Sequence, residues 1–377
     1  MPAALVAGAF GQGNLGDDAL LQAFAAALPE WELTVTTPDA AAAERLSCRA
    51  VAPINHRAIG RAVLHADAVI VGGGTIFKTL HPSTGRHAHG LLATSAALAT
   101  AASALRRPVA MVGVGAGVLG DARACAMARF IVRRSDLLIL RDEASAQSLM
   151  RAGASGPFRV GADPAWTLLR APQACASRDA SVRVIPSFLA VPPEATSALV
   201  DRITMALEEV ASQGVHVQLQ GWQTRGRHDG PGDTQLVESI ARRLGPATEV
   251  LQQPASLSEA VESLSGVGAV LSFRFHGLLA AAAAGVPAVA VAHEAKLAAL
   301  GGRLFQRVVA PNAEPAELVA NICAALEGPG PSPAVIKEQI ELAEEGFRLL
   351  RVLLSRGESD EADHLGALPL TPSPQSL

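Results

Sequence analysis

Tyrosine is absent from this 377-residue chain, and aromatic residues make up only 3% of it. A platform of rings on which nucleic-acid bases stack is therefore not expected. Charge is sparse as well, at 18%, with a net of −4. That balance argues against a nucleic-acid partner, which calls for a basic face. The four cysteines, Cys48, Cys125, Cys175 and Cys323, lie far apart with no C-x-x-C pair. Neither a disulfide framework nor a zinc knuckle is expected, and the pattern suits a reducing cytoplasm. The longest apolar run, Gly277–Ala292, is interrupted by Gly285 and Pro287 and falls short of the ~18 residues of a spanning helix. The N-terminus lacks a basic n-region and enters a Gly-rich polar turn, so no signal peptide is expected. Any membrane contact is expected to be peripheral, at the inner face.

What the chain does have is apolar content, 49% of it, enough for two cores at ~100–200 residues per domain. Buried strands alternate with Ala- and Leu-rich helices twice over. Residues 1–170 form one set and 182–330 a second. The polar, Pro-containing stretch 171–181 reads as the linker. Ser332-Pro333 opens a C-terminal helix to about residue 357, and 358–377, acidic and then Pro/Ser-rich, reads as a disordered tail. The expectation is α/β: two Rossmann-like, doubly wound domains facing a cleft, similar to the GT-B glycosyltransferases. Ligands belong beyond the carboxyl ends of such strands.

The most informative stretch is Ala269–Lys296. A strand over Ala269–Phe273, a helix over Gly277–Ala284 and a strand over Val286–Ala292 make a βαβ unit. Arg274 and His276 fall at the handover from strand to helix, where unpaired N–H groups favour an anion. Lys296 follows the second strand at the same sheet edge. A guanidinium, an imidazole, an ammonium and a helix N-terminus are thus expected to converge on one small anionic ligand. Arg141, next to Asp142 at the end of strand Leu137–Leu140, supplies a second guanidinium.

Upstream, Gly11-Gln-Gly13-Asn14-Leu15-Gly16 is literally G-x-G-x-x-G between a strand and a helix, the dinucleotide fingerprint. Asp17 and Asp18 oppose that reading, because a pyrophosphate would meet two carboxylates. They suit capping or accepting a sugar hydroxyl. The triple glycine Gly72-Gly73-Gly74 reads as a backbone cradle or a tight turn. Lys78, His81, His87 and His89 lack the acid or thiol that would complete a metal site, so no metal is expected. Trp222, at a strand end, is a candidate for stacking on a sugar ring.

Together G-x-G-N-x-G-D at Gly11–Asp17, Gly72–Gly74, R-D-x-x-S at Arg141–Ser145, A-D-P-A at Ala162–Ala165 and S-x-R-x-H at Ser272–His276, closed by Lys296, resemble the polysaccharide pyruvyl transferase family. The likeness is strongest to the branch that pyruvylates cell-wall polysaccharide for anchoring surface-layer proteins. The resemblance implies transfer of pyruvyl from phosphoenolpyruvate to two sugar hydroxyls as a ketal, with phosphate released and no cofactor. It places Arg141, Arg274 and His276 at the phosphoenolpyruvate site with Lys296 nearby, and the glycan, free or lipid-linked, as acceptor. His276 is the candidate for proton transfer, and Asp17 for orienting or deprotonating the acceptor. Gly13, Asn14, Gly73, Gly74 and Trp222 are candidates for the acceptor side and the backbone cradle. Where the family often has Gln-Asp after the triple glycine, this chain has Lys78-Thr79. A nucleotide-sugar glycosyltransferase is the alternative, but the Glu those enzymes use to hold a ribose diol is Ala280 here.

Overall fold

A computed structural model describes residues 1–80, 87–172, 177–226, 232–246 and 248–355. The expected tail at 358–377, His81 and part of the expected linker lie outside the described residues.

Eight strands build the first sheet: β1 (Ala3–Ala7), β2 (Glu32–Thr36), β3 (Arg49–Val51), β4 (Ala68–Gly72), β5 (Thr75–Phe77), β6 (Val109–Ala116), β7 (Leu137–Leu140) and β8 (Arg159–Val160). Their order is β3-β2-β1-β4-β6-β7-β8, with β5 paired to β6, and every pairing is parallel. Such a sheet is buried on both faces, which is why its strands read as unbroken apolar runs. Helices α1 (Leu15–Ala27) and α2 (Ala40–Arg45) cover one face, and α3 (His56–His65), α4 (Gly90–Ala104), α5 (Ala122–Arg134) and α6 (Glu143–Arg151) the other. The reversal of order between β1 and β4 opens the crevice in which a doubly wound sheet holds ligands.

The second sheet is also fully parallel, in the order β11-β10-β9-β12-β13-β14. Its strands are β9 (Ser181–Ile185), β10 (His216–Gln220), β11 (Glu249–Leu251), β12 (Ala269–Ser272), β13 (Ala288–Val291) and β14 (Val308–Val309). They alternate with α7 (Thr196–Ser212), α8 (Thr234–Leu244), α9 (Leu257–Leu264), α10 (Phe275–Ala283), α11 (Ala295–Leu304) and α12 (Pro315–Glu327). The last helix, α13 (Pro333–Ser355), returns to the first domain and packs on β6, β7 and the 3-10 turn Pro164–Leu168.

One apolar cluster runs through both domains, joining Leu20 and Phe24 of α1 to Leu278 and Leu279 of α10 and to Phe347 of α13. The backbones also meet directly. Asn14 and Gln223 form an antiparallel bridge, flanked by Leu15 N–H donating to the Trp222 carbonyl at 3.1 Å and Thr224 N–H to the Gly13 carbonyl at 2.9 Å. Asn14, Trp222 and Gln223 of this joint line the cleft.

In the triple glycine, Gly73 and Gly74, both at positive φ, turn the chain into the short strand β5. Gly113 and Gly115 lie within β6, next to a register shift between Val112 and Val114.

A candidate active site between the two domains

The cleft is a cavity of about 360 Å³ lined from both domains by Asp17, Gly74, Thr75, Lys78, Arg141, Arg274, His276 and Lys296, among others. A larger groove of about 580 Å³ lies between α1 and α13, but its walls are Ala23, Ala26 and Ala27 facing Glu and Arg side chains of α13. The glutamates and arginines there bear on no reactive side chain, so the smaller, interdomain cavity is the candidate site.

His276 occupies the first turn of α10 and is buried. Its Nε2 faces the buried Asp163 Oδ1 at 3.4 Å, long for a hydrogen bond but close enough for ionic attraction, and has no other partner among the described residues. The ring rests against Gly16: a Cβ there would stand 1.9 Å from Nδ1. Asp163 also lies 3.9 Å from Arg141 Nη1. Burial pushes the Asp163 carboxyl up, but the charges of His276 and Arg141 and the hydrogen bond from Ala165 N–H outweigh it, and the carboxyl titrates below its ordinary value.

Arg141 leaves β7 and is held on every side. Nε donates to Asp142 at 3.1 Å, Nη2 to Thr75 Oγ1 at 2.9 Å, and the guanidinium carbon sits 4.8 Å from the centre of the Phe275 ring. Gly115 makes room for it, since a Cβ would come within 2.4 Å of Nη2. Lys296, in the first turn of α11, reaches the same Thr75 hydroxyl at 3.5 Å. Its ammonium also pairs with Glu294 at 2.5 Å, and Lys78 approaches Glu294 at 3.5 Å from across the cleft. Burial lowers the Lys296 pKa; Glu294 opposes that shift, and the charges of Arg141 and Lys78 add to it. Glu294 in turn is held far below the usual carboxylate range, chiefly by Lys296.

The structure thus brings Arg141, His276 and Lys296 together, His276 through Asp163 and Lys296 through Thr75. Arg274 lines the cavity on different terms. Its Nε and Nη2 each donate to Asp233 at 2.6 Å, and Nη2 to Gln223 at 3.0 Å. A bidentate, buried carboxylate already neutralises it, so it is not the free cation expected from the sequence. Asp233, with no exposed side-chain surface, also accepts from the backbone N–H groups of Trp222 and Phe188.

Asp17, in the first turn of α1, accepts from Asn14 Nδ2 at 2.8 Å, while the Asn14 carbonyl oxygen caps the helix at Gly16 N–H. Burial pushes the Asp17 carboxyl up, against the pull of His276, Lys296 and Arg274. A raised carboxyl close to an imidazole suits proton transfer.

Several sequence expectations are corrected here. All three glycines of the G-x-G-x-x-G pattern serve contacts within the protein: a Cβ at Gly11 would strike Thr37, at Gly13 Thr224, and at Gly16 His276. Gly13 is thereby spent on the domain joint, and Gly73 packs on Leu20; only Gly74 of the pair faces the cavity. Trp222 lines the cavity but is only 1% exposed, with Nε1 donating to Gln220, so it offers a sugar almost no ring surface. Ala280 is fully buried within α10. Sequence reasoning missed Thr75, Asp163, Asp233 and Glu294. The A-D-P-A motif held a signal for Asp163, whereas Asp233 follows a polar loop and nothing local sets it apart. Among the described residues no group of three or more His, Cys, Asp or Glu could hold a metal.

No curated protein matches the chain. Solved structures share its fold. The UDP-GlcNAc 2-epimerase of Methanocaldococcus jannaschii, in complex with UDP-GlcNAc and UDP, superposes with a TM-score of 0.62 at 14% identity, covering 94% of this chain and 99% of that one. The UDP-GlcNAc 2-epimerase of Neisseria meningitidis bound to UDP-GlcNAc gives 0.58 at 12%, over 94% and 100%. Phytolacca americana UGT2, complexed with UDP-2fluoro-glucose and pterostilbene, gives 0.53 at 12%, over 94% and 99%. At such identities the likeness establishes the fold, GT-B, and nothing finer. The model of one family, polysaccharide pyruvyl transferase, matches residues 14–294, about three-quarters of the chain. From the capping Asn14 to Glu294 beside the cleft lysine, then, the match takes in nearly every side chain that builds the cavity, and this chain belongs to the polysaccharide pyruvyl transferase family, whose acceptor is a glycan.

Proposed function

We propose that this protein transfers the pyruvyl group of phosphoenolpyruvate to two hydroxyls of a cell-surface glycan or its lipid-linked precursor, on the cytoplasmic side of the membrane. The observation that carries the reading is the convergence of Arg141, His276 and Lys296 on one cavity through Thr75 and Asp163. Phosphoenolpyruvate bears a carboxylate and a phosphate within a few bonds of each other. A planar guanidinium suits either group, and an ammonium suits the phosphate. The buried Ala280 offers nothing to a ribose diol.

In the first step the imidazolium of His276 gives its proton to the methylene carbon of the donor. The double bond is consumed, a methyl group forms, and the neighbouring carbon becomes electrophilic. One sugar hydroxyl adds to that carbon and loses its proton to Asp17. The carbon–oxygen bond to phosphate then breaks, phosphate leaves with both bonding electrons, and the second hydroxyl closes the ketal. Two hydroxyl protons are released in all: one replaces the proton given to the methyl group, and the other leaves with phosphate. Arg141 and Lys296 stabilise the charge on the departing phosphate, and Asp163 stabilises the imidazolium before transfer. Neither role calls for a cofactor.

Phosphate release from phosphoenolpyruvate, measured against a panel of free and lipid-linked glycans, tests the reading. At least one glycan should support release, with mass gain corresponding to a ketal. His276→Ala should lower turnover by roughly 10²–10⁴-fold, the usual contribution of a general acid, with the thermal transition retained. Near-wild-type turnover in that variant would refute the role of His276, and donor consumption with no acceptor product would refute transfer.

A further inference from the structure

Away from the cleft, charge is distributed very unevenly. Residues 52–135 hold ten of the chain's 31 Lys and Arg but two of its 35 Asp and Glu, a net of +8 in a chain whose net is −4. Apart from Lys78, in the cleft, and Arg86, outside the described residues, these basic residues lie on or next to α3, α4 and α5, which stand side by side on one face of the first sheet. The two acids are already engaged, Asp67 with Arg107 at 3.2 Å and Asp121 with His89 at 2.8 Å. Arg57, Arg61, Arg106, Arg123 and Arg133 are exposed, with no carboxylate partner among the described residues. The opposite face of the same sheet is covered by α13, which carries Glu341, Glu344 and Glu345.

The basic layer is also apolar where it meets solvent. Ile54, just before α3, is 86% exposed, Leu64 in its last turn 61%, and Leu105 after α4 39%. Arg57, Arg61 and Leu64 lie four and then three residues apart, hence on one stripe of α3. The 15 residues of α4, between the two arginine-bearing helices, include no charged side chain at all. Arginines that take phosphate, set around exposed aliphatic side chains, match an anionic bilayer, whose headgroups and acyl boundary satisfy both. A nucleic-acid duplex offers the phosphates but nothing for Ile54 and Leu64. Leu91, in the first turn of α4, lines the cleft, so this layer reaches the cleft mouth.

We propose that the face formed by α3, α4 and α5 docks on a bilayer of anionic phospholipid, setting the cleft mouth at the membrane surface. Docking does not depend on the donor or on the acceptor. Among the described residues no helix is long and apolar enough to cross a membrane, so attachment through this face is reversible and salt-sensitive.

Co-sedimentation of the full chain with vesicles tests it, using phosphatidylcholine alone and mixed with an equal part of phosphatidylglycerol. The protein should partition onto the mixed vesicles, far less onto phosphatidylcholine, and less as salt rises. Arg57→Gln with Arg61→Gln should lower partitioning about 30-fold, from the usual worth of each arginine at an anionic surface. Ile54→Ser with Leu64→Ser should lower it at unchanged charge. All four side chains are exposed, so the thermal transitions should match wild type. No binding to the mixed vesicles, partitioning unaffected by either pair of substitutions, or tighter binding to a duplex oligonucleotide at the same salt would each overturn the proposal.

Discussion

Gly16→Ala is the sharpest test of how the site is built. Gly16 lies in the first turn of α1 without a positive φ, so the backbone accepts alanine, and helix propensity favours it by up to ~1 kcal/mol. The harm comes from space. The new methyl carbon would lie 1.9 Å from His276 Nδ1, 2.5 Å from Cγ and 2.7 Å from Cε1, where van der Waals contact needs ~3.5 Å or more. The ring must move by more than an ångström, and its separation from Asp163, 3.4 Å at Nε2, cannot survive that shift. If His276 is the proton donor proposed above, displacing it by this much forfeits most of its contribution, so turnover should fall about 100-fold. Overpacking of this kind costs ~1–3 kcal/mol, partly offset by the helix term, so the fold should persist. Phosphate release and a urea unfolding curve on the same preparation separate the two effects. The decisive arm is a double-mutant cycle: in a His276→Ala background the methyl has nothing to displace, and Gly16→Ala should cost no further activity. If the two losses multiply instead, the glycine acts by some route other than the imidazole, and the argument fails.

Asp163→Asn removes the negative charge shared by His276 and Arg141, and turnover in the phosphate-release assay should fall by ~10-fold or more. Asp233→Ala leaves Arg274 buried without a counter-charge and should cost ~3–5 kcal/mol in urea unfolding, with part of the loss recovered when Arg274→Met is added. His293 is pushed down to about 4 by burial, with Lys296 and Arg274 adding to the shift and Glu294 opposing it. Its folded pKa lies below its unfolded value of 6.5, so between the two the unfolded chain binds more protons and stability rises with pH. Stability should therefore decline as pH falls from about 6.5 to about 4, and His293→Gln should flatten that slope in denaturant titrations.

Parallel sheets announce themselves because their strands are buried on both faces, so runs such as Val69–Val71 and Val289–Val291 were legible as strands from composition alone. The strand β3, at the sheet edge with its first residue exposed, carries no such run and passes unnoticed. Strand ends located Arg141, Arg274, His276 and Lys296, since a βαβ unit fixes where its loops open. What pattern could not supply was which cations already have partners. Asp233 lies 41 residues from Arg274 in sequence, and only the closed fold shows that the two neutralise each other. The glycines of the first turn have a related explanation. Their spacing fits a pyrophosphate, but Gly13 and Gly16 are small because Thr224 and His276 of the other domain press against them.

The backbone bridge between Asn14 and Gln223 has a mechanical consequence. Were the domains to rotate about it, the bridge would act like the rivet of a pair of tongs: the tips spread and what is next to the rivet scarcely moves. Asp17, three residues from Asn14, and His276, seated on Gly16, are close to that pivot, whereas Lys78 and Glu294 reach towards each other across the gap. Spreading the cleft about this bridge would part the Lys78–Glu294 ion pair and the Lys296–Thr75 contact first, and would move Asp17 and His276 least.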